Sequence, residues 1–334
     1  MTAPTGSVFV IIVNFRTGRL TVQCLASLAA EVSSLGSGRV IVVDNCSEDD
    51  SVTLISSAIH DNGWEAWAEL LPLPRNGGFA YGNNAAIGRA RQLDPQLAAV
   101  VLLNPDAIAR PGLLAALMRQ LASQPRAGIA GAAIEGAGGE LVVSAHAMPS
   151  PLGELEASAK LGFLTRLLSR HVVSPPPTGV SRECDWVSGA CMAIRREVLD
   201  AVGPLDEGFF LYYEEVDFCR RARQAGWSCW LVADARVMHL EGAATGIKAA
   251  RQRLPAYWFA SRRRFFVKAY GIGGLVLADL LWALGRTSLV LRRLLGLGGR
   301  AGHADEPSRM TGDLLLGDVR AALGGELVRI ARGQ

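Results

Sequence analysis

The chain of 334 residues is long enough for one large α/β domain or two small ones, with a buried core. Half of the residues are hydrophobic and 19% are charged, which excludes a disordered chain, and the net charge of +3 does not favour nucleic acid as a partner. Six scattered cysteines, without a CxxC pair or a Cys/His cluster, argue against a zinc site and a disulfide framework and predict buried free thiols.

The first apolar run, VFVIIVNF, has no basic stretch before it and ends at Asn14, so it is predicted to be a β-strand and not a signal peptide. The longest later apolar run, 270–285, is interrupted by Asp279. It falls short of the roughly 18 uncharged residues that cross a membrane. Together these patterns predict a cytoplasmic protein.

In the first half of the chain, short β-branched runs alternate with helical patterns. Strands are predicted at 8–15, 39–45, 68–74 and 98–106, each followed by an amphipathic segment. This alternation indicates an α/β fold with a mostly parallel sheet flanked by helices. Ligands of such sheets bind at the carboxyl ends of the strands, where this sequence has polar side chains. These are Asn14, Asp44, Asn45, Arg75, Asn76, Asn104 and Asp106.

The second half is less regular. A glycine-rich stretch, EGAGGELVVS, predicts a hairpin, and 145–183 contains a weak helical pattern followed by SPPPTG, which cannot lie inside a helix. The run CDWVSGACMAIRREVLDAVG predicts a strand that enters a helix ending at Gly203. Two further helices are predicted at about 272–296 and 312–332.

Two segments at the predicted sheet edge each admit two interpretations. In LLNPD, Asp106 suits a Mg²⁺ or Mn²⁺ ion carried in by substrate phosphates, or the segment is a turn that caps the next helix. In PRNGGFAYGNN, glycines ahead of a helix suit a phosphate, or they form a loop with an asparagine N-cap. No GK[ST] follows and no glycine fingerprint links a strand to a helix, which argues against an ATPase or a dehydrogenase.

His239 ends a further strand-like run, and it is either structural or, if it meets Asp106 and a phosphate, part of the site. A mixed basic and aromatic run follows it. This run is a solvated helix face, a surface lying on anionic lipid, or a clamp on a diphosphate. Its members are Arg251, Arg253, Tyr257, Trp258, Phe259, Arg262, Arg263, Arg264, Phe265, Phe266 and Lys268.

The stretch FFLYYEEVDFCRR places three carboxylates after an aromatic block and ahead of arginines. This charge order is favoured at the start of a helix, and Asp217 and Arg221 stand at i,i+4, so a surface ion pair is predicted. The aromatic block predicts that Glu214 and Glu215 lie beside buried surface. Such surroundings raise the pKa of a carboxylate towards the range of a general base.

Taken in order, seven motifs resemble the family 2 inverting glycosyltransferases of the GT-A fold, in their bacterial rhamnosyltransferase-like branch. They are VIIVNF, VVDNCSEDDS, NGGFAYGNN, LLNPD, WVSGACMAIRREV, GPLDEGFFLYYEEVDFCRRARQAGW and VMHLEG, and the resemblance runs from about 8 to 246. It implies the GT-A nucleotide-diphospho-sugar transferase fold over 1–268. The nucleotide-binding half would lie at about 1–135 and the acceptor-binding half at about 136–268. The basic and apolar pattern of the tail predicts a helical C-terminal extension at 269–334, which contacts a membrane or a second copy in a homodimer.

The resemblance implies roles for single residues. Glu215 matches the catalytic base, which removes the proton of an acceptor hydroxyl attacking the anomeric carbon. Glu214 orients the acceptor or is itself the base. Asp106 and His239 match positions that hold a divalent cation, Mg²⁺ or Mn²⁺, on the diphosphate. The nucleotide side is matched by Asn14, Asp44, Asn45, Arg75, Asn76, Gly77 and Asn104, and the acceptor side by Trp186, Ser188, Gly189 and Asp206.

Two motifs depart from the family pattern. The metal motif is reduced to Asn104-Pro105-Asp106, and the adjacent acids are Glu-Glu where many relatives have Glu-Asp. The branch implies dTDP-rhamnose as the donor. It implies a lipid-linked or polysaccharide intermediate of the cell envelope as the acceptor, met at the cytoplasmic face of the inner membrane.

Three alternatives remain open at this point. The first is a UDP- or GDP-sugar donor, which the same fold accepts. The second is a nucleotidyltransferase, for which NFRTGRLT offers only Arg16 and Arg19 near the first strand. The third is a catalytically silent saccharide-binding subunit, against which the joint presence of Asp106, Glu215 and His239 argues.

Overall fold

The computed structural model describes residues 6–239, 253–297 and 309–333, which form two compact units. The sheet unit comprises Met1–His146, Pro176–Phe210 and Glu214–Thr245. The helical unit comprises Ala147–Pro175, Leu211–Tyr213 and Gly246–Gln334. The last three residues of the predicted motif VMHLEG, and Arg251 of the basic run, lie outside the described residues.

The described residues form strands and helices that are numbered in chain order. The strands are β1 (Val8–Asn14), β2 (Gly38–Asp44), β3 (Ala68–Pro72), β4 (Ala99–Leu103), β5 (Ala107–Ala109), β6 (Ala127–Glu135), β7 (Ala145–His146), β8 (Arg182–Cys184), β9 (Trp186–Val187), β10 (Cys191–Arg195) and β11 (Ser228–His239). The helices are α1 (Gly18–Leu35), α2 (Ser51–Asp61), α3 (Gly78–Leu93), α4 (Leu113–Ser123), α5 (Pro151–Ala159), α6 (Gly162–Leu167), α7 (Arg196–Val202), α8 (Glu214–Gln224), α9 (Ala256–Leu294), α10 (Met310–Leu323) and α11 (Glu326–Ala331).

The main sheet of the sheet unit has the order β3-β2-β1-β4-β10-β6-β11-β5, and β8 pairs with β11. Strand β10 runs antiparallel to both of its neighbours, β4 and β6, while β6 and β11 are parallel. Six strands, β1–β4, β6 and β11, therefore point the same way, as the alternating pattern predicts. Strands β7 and β9 form a separate antiparallel pair.

Strand β1 is buried along its whole length because helices cover both faces of the sheet. Phe9, Ile11 and Val13 pack in one core cluster with residues of α3, and the alternate residues pack in a second cluster with residues of α1. Each such side chain contributes about 1.5–3 kcal/mol by leaving water. This two-sided burial explains the uninterrupted apolar run in the sequence.

Several predicted features of the second half are confirmed in the sheet unit. The strand-to-helix run becomes β10 and α7, and α7 ends at Gly203, whose φ of 75° is left-handed. The glycine-rich hairpin closes through the backbone N–H of Gly136, which donates to the carbonyl of Glu140 at 2.8 Å. All six cysteines are free thiols, and five of them are buried.

The longest helix of the described helical unit is α9, which is kinked at Gly271, where φ is 73°. The predicted helix at 272–296 is thus the second part of a longer helix. Beyond the kink, Gly285 packs tightly on α5, because a Cβ on it would lie 2.2 Å from the Ser158 hydroxyl. The guanidinium of Arg262 is buried in the unit among three carboxylates. They are Glu154 at 3.0 Å, Asp279 at 2.9 Å and Asp318 at 3.3 Å.

Candidate active site

The sheet unit collects polar side chains along the edge where parallel strands end. Asn14 and Asp44 end β1 and β2, Asn104 follows β4, and His239 ends β11. Strand β10 runs the other way, so the residues just before it reach the same edge. There the backbone N–H of Asn104 donates to the carbonyl of Ala190 at 2.9 Å. The predicted gathering of polar groups at the carboxyl ends of the strands is therefore present.

Two adjacent acids begin α8, Glu214 buried and Glu215 partly buried. Glu214 is 3% exposed, and one carboxylate oxygen each of Glu214 and Glu215 is buried without a hydrogen-bond partner. Burial raises the pKa of Glu215 to about 7. Burial, followed by the charge of Glu215, raises the pKa of Glu214 well above its usual range. Both shifts favour the protonated form, and the pKa of Glu215 lies in the range that a general base requires at neutral pH.

The Glu215 carboxylate is tied to the sheet edge through Gly189. The backbone N–H of Gly189 donates a hydrogen bond to it, which lowers the pKa and partly opposes burial. A Cβ on Gly189 would lie 3.8 Å from Cδ of Glu215, so the backbone approaches the acid closely. Because the next residue, Ala190, bonds to Asn104, a short backbone link joins Glu215 to the end of β4.

Asp106 and His239 meet on the other side of Asn104. His239 Nε2 lies 3.0 Å from Oδ1 of Asp106 and 3.1 Å from Nδ2 of Asn104. One imidazole nitrogen donates to Asp106 or accepts from Asn104, depending on the tautomer. The side chains of Asp106 and His239 are 1% and 13% exposed, so only the histidine reaches solvent appreciably.

The chemistry of this pair fits a divalent cation at an open position. A carboxylate oxygen is a ligand for Mg²⁺ and Mn²⁺, and an imidazole nitrogen is a ligand for many transition-metal ions. Within residues 6–239, 253–297 and 309–333, no group of three or more His, Cys, Asp and Glu side chains is placed to hold an ion. Asp106 and His239 would therefore hold a metal only together with phosphate oxygens and water.

Asn14 and Asp44, predicted to line a nucleotide pocket, bind each other. Asn14 Nδ2 donates to Asp44 Oδ1 at 2.7 Å and to the hydroxyl of Ser47 at 3.1 Å. Its Oδ1 accepts hydrogen bonds from Thr17 and Thr21. Asn14 is fully buried and Asp44 is 2% exposed, so both side chains fix the loops after β1 and β2.

Asn45 and Asn76, both predicted for the nucleotide side, form a second hydrogen-bonded pair. Asn45 Nδ2 donates to Asn76 Oδ1 at 2.9 Å and to the carbonyl of Gly78 at 3.0 Å. Gly78 has a φ of 89°, and a Cβ there would lie 2.2 Å from the carbonyl oxygen of Phe210, so the position requires glycine. The N–H of Phe79 donates to that same oxygen at 2.8 Å. The glycine loop is thus held by backbone contacts.

Arg75 and Gly77 flank this loop beside Tyr81. The Arg75 guanidinium lies 4.2 Å from the centroid of the Tyr81 ring, a cation–π contact. A Cβ on Gly77 would lie 2.4 Å from that same ring, so this glycine leaves room for the tyrosine. The loop therefore presents a basic group beside the start of α3.

The residues predicted for the acceptor side, apart from Gly189, lie in two short segments, Trp186 and Ser188 in one and Asp206 in the other. Trp186 stacks on His146, with ring centroids 4.0 Å apart and an interplanar angle of 12°. The hydroxyl of Ser188 accepts from the N–H of Ala190 at 3.3 Å. Asp206 Oδ1 accepts from the N–H of Gly208 at 2.9 Å and so fixes the turn before the aromatic block.

The sequence did not predict the contacts of Ser47, and the prediction that Asp217 and Arg221 form a surface ion pair was wrong. Ser47 bonds both Asn14 and Asp44, and the only signal for it was its place in the motif VVDNCSEDDS. Asp217 does bond Arg221, at 2.9 Å, but it is fully buried and not on the helix surface. Arg221 explains this, because its guanidinium also donates to the backbone carbonyl of Pro204 at 2.8 Å and covers the acid.

Solved structures share this fold. A mannosyltransferase, PcManGT from Pyrobaculum calidifontis, matches with a TM-score of 0.55 and 16% identity over 99% of this chain and 85% of that chain. TarS of S. aureus matches with a TM-score of 0.52 and 15% identity over 97% and 81% of the two chains. The fold of this chain is therefore the GT-A fold.

The family described as "Glycosyltransferase like family 2" matches residues 4–260. The chain belongs to glycosyltransferase family 2 and is of the rhamnosyltransferase-like type. It is 29% identical to N-acetylglucosaminyl-diphospho-decaprenol L-rhamnosyltransferase of Mycobacterium tuberculosis, over 85% of this chain and 90% of the relative. It is 28% identical to a low-salt glycan biosynthesis hexosyltransferase of Haloferax volcanii, over 64% and 61% of the two chains.

Proposed function

We propose that this glycosyltransferase is inverting and moves rhamnose from dTDP-rhamnose to a hydroxyl of a lipid-linked or polysaccharide intermediate of the cell envelope. The observation that carries the proposal is Glu215, a partly buried acid with a pKa of about 7, linked by one backbone segment to the strand end that bears Asn104. The sugar and the acceptor class are supported by the Mycobacterium tuberculosis relative, which is a rhamnosyltransferase acting on a diphospho-decaprenol.

A single base is sufficient for direct displacement. The acceptor oxygen attacks the anomeric carbon from the side opposite the nucleotide, the bond from that carbon to the diphosphate breaks, and Glu215 takes the hydroxyl proton. Burial and the charge of its neighbour favour the protonated form of Glu214, which is suited to donate a hydrogen bond to the acceptor. Glu215 is less buried than Glu214 and accepts a hydrogen bond from the N–H of Gly189, which stabilises its ionised form, and this favours Glu215 as the base.

A divalent cation, Mg²⁺ or Mn²⁺, would be held by Asp106 and His239 together with the diphosphate. It would neutralise the charge that develops on the departing diphosphate. The neighbour PcManGT was solved with GDP-Man and Mn²⁺, which supports this assignment. Asn104 would hold the imidazole of His239 in place through their 3.1 Å contact.

The site would have a nucleotide side and an acceptor side, formed by different residues at the carboxyl edge of the sheet. On the nucleotide side, Asn14 and Asp44 would shape the base and ribose pocket through their mutual bond, and the loop of Arg75, Asn76 and Gly77, held by Asn45, would face the nucleotide. On the acceptor side, Trp186, Ser188, Gly189 and Asp206 would line the entry to Glu215. The protein would work in the cytoplasm, in peripheral contact with the inner face of the membrane that holds its acceptor.

The test is a donor screen by nucleoside diphosphate release. We expect dTDP-rhamnose with Mn²⁺ or Mg²⁺ to support release, and UDP- and GDP-sugars to support little. Preference for a UDP- or GDP-sugar would overturn the donor assignment alone. If no nucleotide shifts the melting temperature with or without Mn²⁺, the protein is the catalytically silent saccharide-binding subunit, and the proposed function is wrong.

A further inference from the structure

Beyond the kink at Gly271, helix α9 has two apolar faces. The inner face is buried within the helical unit and comprises Leu275, Ala278, Trp282, Gly285 and Leu289. The opposite face, termed the outer stripe, comprises Val276, Leu277, Leu280, Leu284, Leu291 and Leu294, which are 49% to 78% exposed. Its three- and four-residue spacing places these side chains along one line of about 27 Å, at 1.5 Å per residue.

The outer stripe has no counterpart to cover it within the described part of the helical unit. The inner face already packs on α5, where Gly285 lies against Ser158 with no room for a side chain. A helix that is apolar on both faces but buried on only one exposes a contiguous apolar surface. Such a surface marks an interaction site, since scattered single residues would not align over five turns.

The charge of the helical unit indicates what the stripe meets. The sequence of this unit contains eighteen lysines and arginines and eight aspartates and glutamates, a net charge of +10, whereas the whole chain has +3. An apolar stripe on a unit of this net positive charge fits a helix lying in the headgroup region of an anionic bilayer.

We propose that the outer stripe is the docking face for an anionic phospholipid surface, with the second part of α9 lying parallel to the bilayer. The inference deepens the peripheral membrane contact and rests on the proposed function, since a lipid-linked acceptor is the reason to dock. It assigns the contact to one face of one helix, so that the stripe enters the acyl boundary while the net positive charge of the unit is attracted to the phosphates.

The same observations disfavour two alternatives. One is that α9 spans the membrane, and the other is that a second copy of the chain covers the stripe. By length and composition, α9 is long and apolar enough to cross a membrane. However, Asp279 lies in the middle of its apolar part and is ion-paired at 2.9 Å with buried Arg262, which fixes the inner face inside the protein. A second copy of the chain would bring another unit of net charge +10 against the first, and these like charges repel.

The experiment is sedimentation of the full chain with sucrose-loaded vesicles. Vesicles of equal parts phosphatidylglycerol and phosphatidylcholine should bind the protein, and vesicles of phosphatidylcholine alone should bind it at least about tenfold less. The double variant Leu280→Glu/Leu284→Glu should lower the partition coefficient on the anionic vesicles by about tenfold or more, because two charges enter the apolar boundary.

A matched control makes the same charge change in the sheet unit. Val52 and Val180 are 36% and 62% exposed, and Val52→Glu/Val180→Glu should bind vesicles like the unchanged protein. Both double variants should keep the melting temperature and the nucleotide response. The docking face is wrong if the stripe variant binds anionic vesicles as well as the unchanged protein does. It is also wrong if the control variant loses as much binding as the stripe variant, or if the unchanged protein does not bind anionic vesicles.

Light scattering on a size-exclusion column tests the other occupant. A dimer of the unchanged protein that becomes a monomer in the stripe variant would assign the stripe to a second copy and overturn the proposal. Glu215→Gln should bind vesicles normally. If vesicle binding follows these expectations while the donor screen fails, the proposed function is wrong and the docking face stands. If nucleoside diphosphate is released but vesicles are not bound, the docking face is wrong and the proposed function stands.

Discussion

Oδ1 of Asp106 and Nε2 of His239 lie 3.0 Å apart, although 133 positions separate the two residues in the chain. Sheet pairing makes this contact, because His239 stands opposite Ala107 in the antiparallel pair of β11 and β5. The register of two strands therefore sets the distance between the two side chains. A site formed in this way is organised before a metal or a substrate arrives.

Replacing His239 by alanine should weaken metal activation without unfolding the chain. We expect the Mn²⁺ concentration for half-maximal activity to rise by about 10- to 100-fold, the range seen when a metal ligand's surroundings are removed. The measurement is a Mn²⁺ titration of nucleoside diphosphate release. His60→Ala is the control, since His60 is an exposed surface residue bonded to Glu65. An unchanged titration in His239→Ala would remove this residue from the metal site.

The two adjacent acids should respond differently to the loss of charge. Glu215→Gln should lower kcat by about 10²- to 10⁴-fold, the usual contribution of a general base, while donor binding persists. Glu214→Gln should lower it much less, because burial already favours the neutral form of Glu214 and glutamine retains a hydrogen-bond donor. Single-turnover kinetics with donor binding followed in parallel distinguishes the two. A near-normal Glu215→Gln with an inactive Glu214→Gln would reverse the assignment.

The pH profile should show the ionisation of Glu215. A base acts only when it is ionised, so kcat/KM should rise with pH along a limb with its midpoint near 7, the raised pKa of Glu215. A midpoint near 4.5, the ordinary value for glutamate, would mean that the base is not a buried acid. The profile is measured with saturating metal.

The same shift predicts how stability depends on pH. The folded-state pKa of Glu215 lies above its ordinary value of 4.5, so its ionisation opposes folding increasingly as pH rises from 4.5 through 7. Glu215→Gln should therefore raise the melting temperature progressively across that window. Glu48→Gln, at an acid whose side chain is 74% exposed, should change the melting temperature little at any of these pH values.

Loss of the Arg262 charge should strongly destabilise the helical unit. Its removal in Arg262→Met leaves the buried carboxylates of Glu154, Asp279 and Asp318 without their shared cation, which should cost about 3–5 kcal/mol in the free energy of unfolding. Burial, followed by the charge of Asp279, already raises the pKa of Asp318 to about 6. Protonation relieves the repulsion, so the destabilisation should be smaller at pH 5 than at pH 8.

Urea unfolding at both pH values, followed by circular dichroism, measures this effect. Arg253→Met is the matched control, because Arg253 also pairs with a carboxylate, Asp313 at 2.6 Å, but is exposed. It should change the midpoint little, as surface ion pairs contribute little. Equal effects of the two substitutions would show that burial of the Arg262 cluster is not important.

The sequence was informative where a local pattern determines structure. Uniform apolar runs predicted β1, β2 and β4, and the polar residues directly after them are at the sheet edge, because consecutive parallel strands end together. The sequence did not predict whether His239 contacts Asp106, since no local pattern fixes which distant strands pair. His239 was therefore assigned to the site only if it met Asp106.

Other features depended on tertiary packing. The burial of Asp217 came from Arg221 folding back to the carbonyl of Pro204, a contact that i,i+4 spacing does not contain. The region 145–183 had weak periodicity, because α5 is short and packs on α9 through small residues such as Ser158. The link from Gly189 through Ala190 to Asn104 consists of backbone contacts, which side-chain patterns do not record.

The reversed direction of β10 has a consequence for how such an enzyme diversifies. Because β10 enters at the edge where β4 leaves, the segment 186–190 and the segment 104–106 come from separate parts of the chain, joined there by the hydrogen bond from Asn104 to Ala190. Under the proposed roles, substitutions in the first segment would change the acceptor side and leave the metal-binding side intact. Descendants of one ancestor would then exchange their acceptors by changing a few consecutive residues while inheriting the machinery for the donor unchanged.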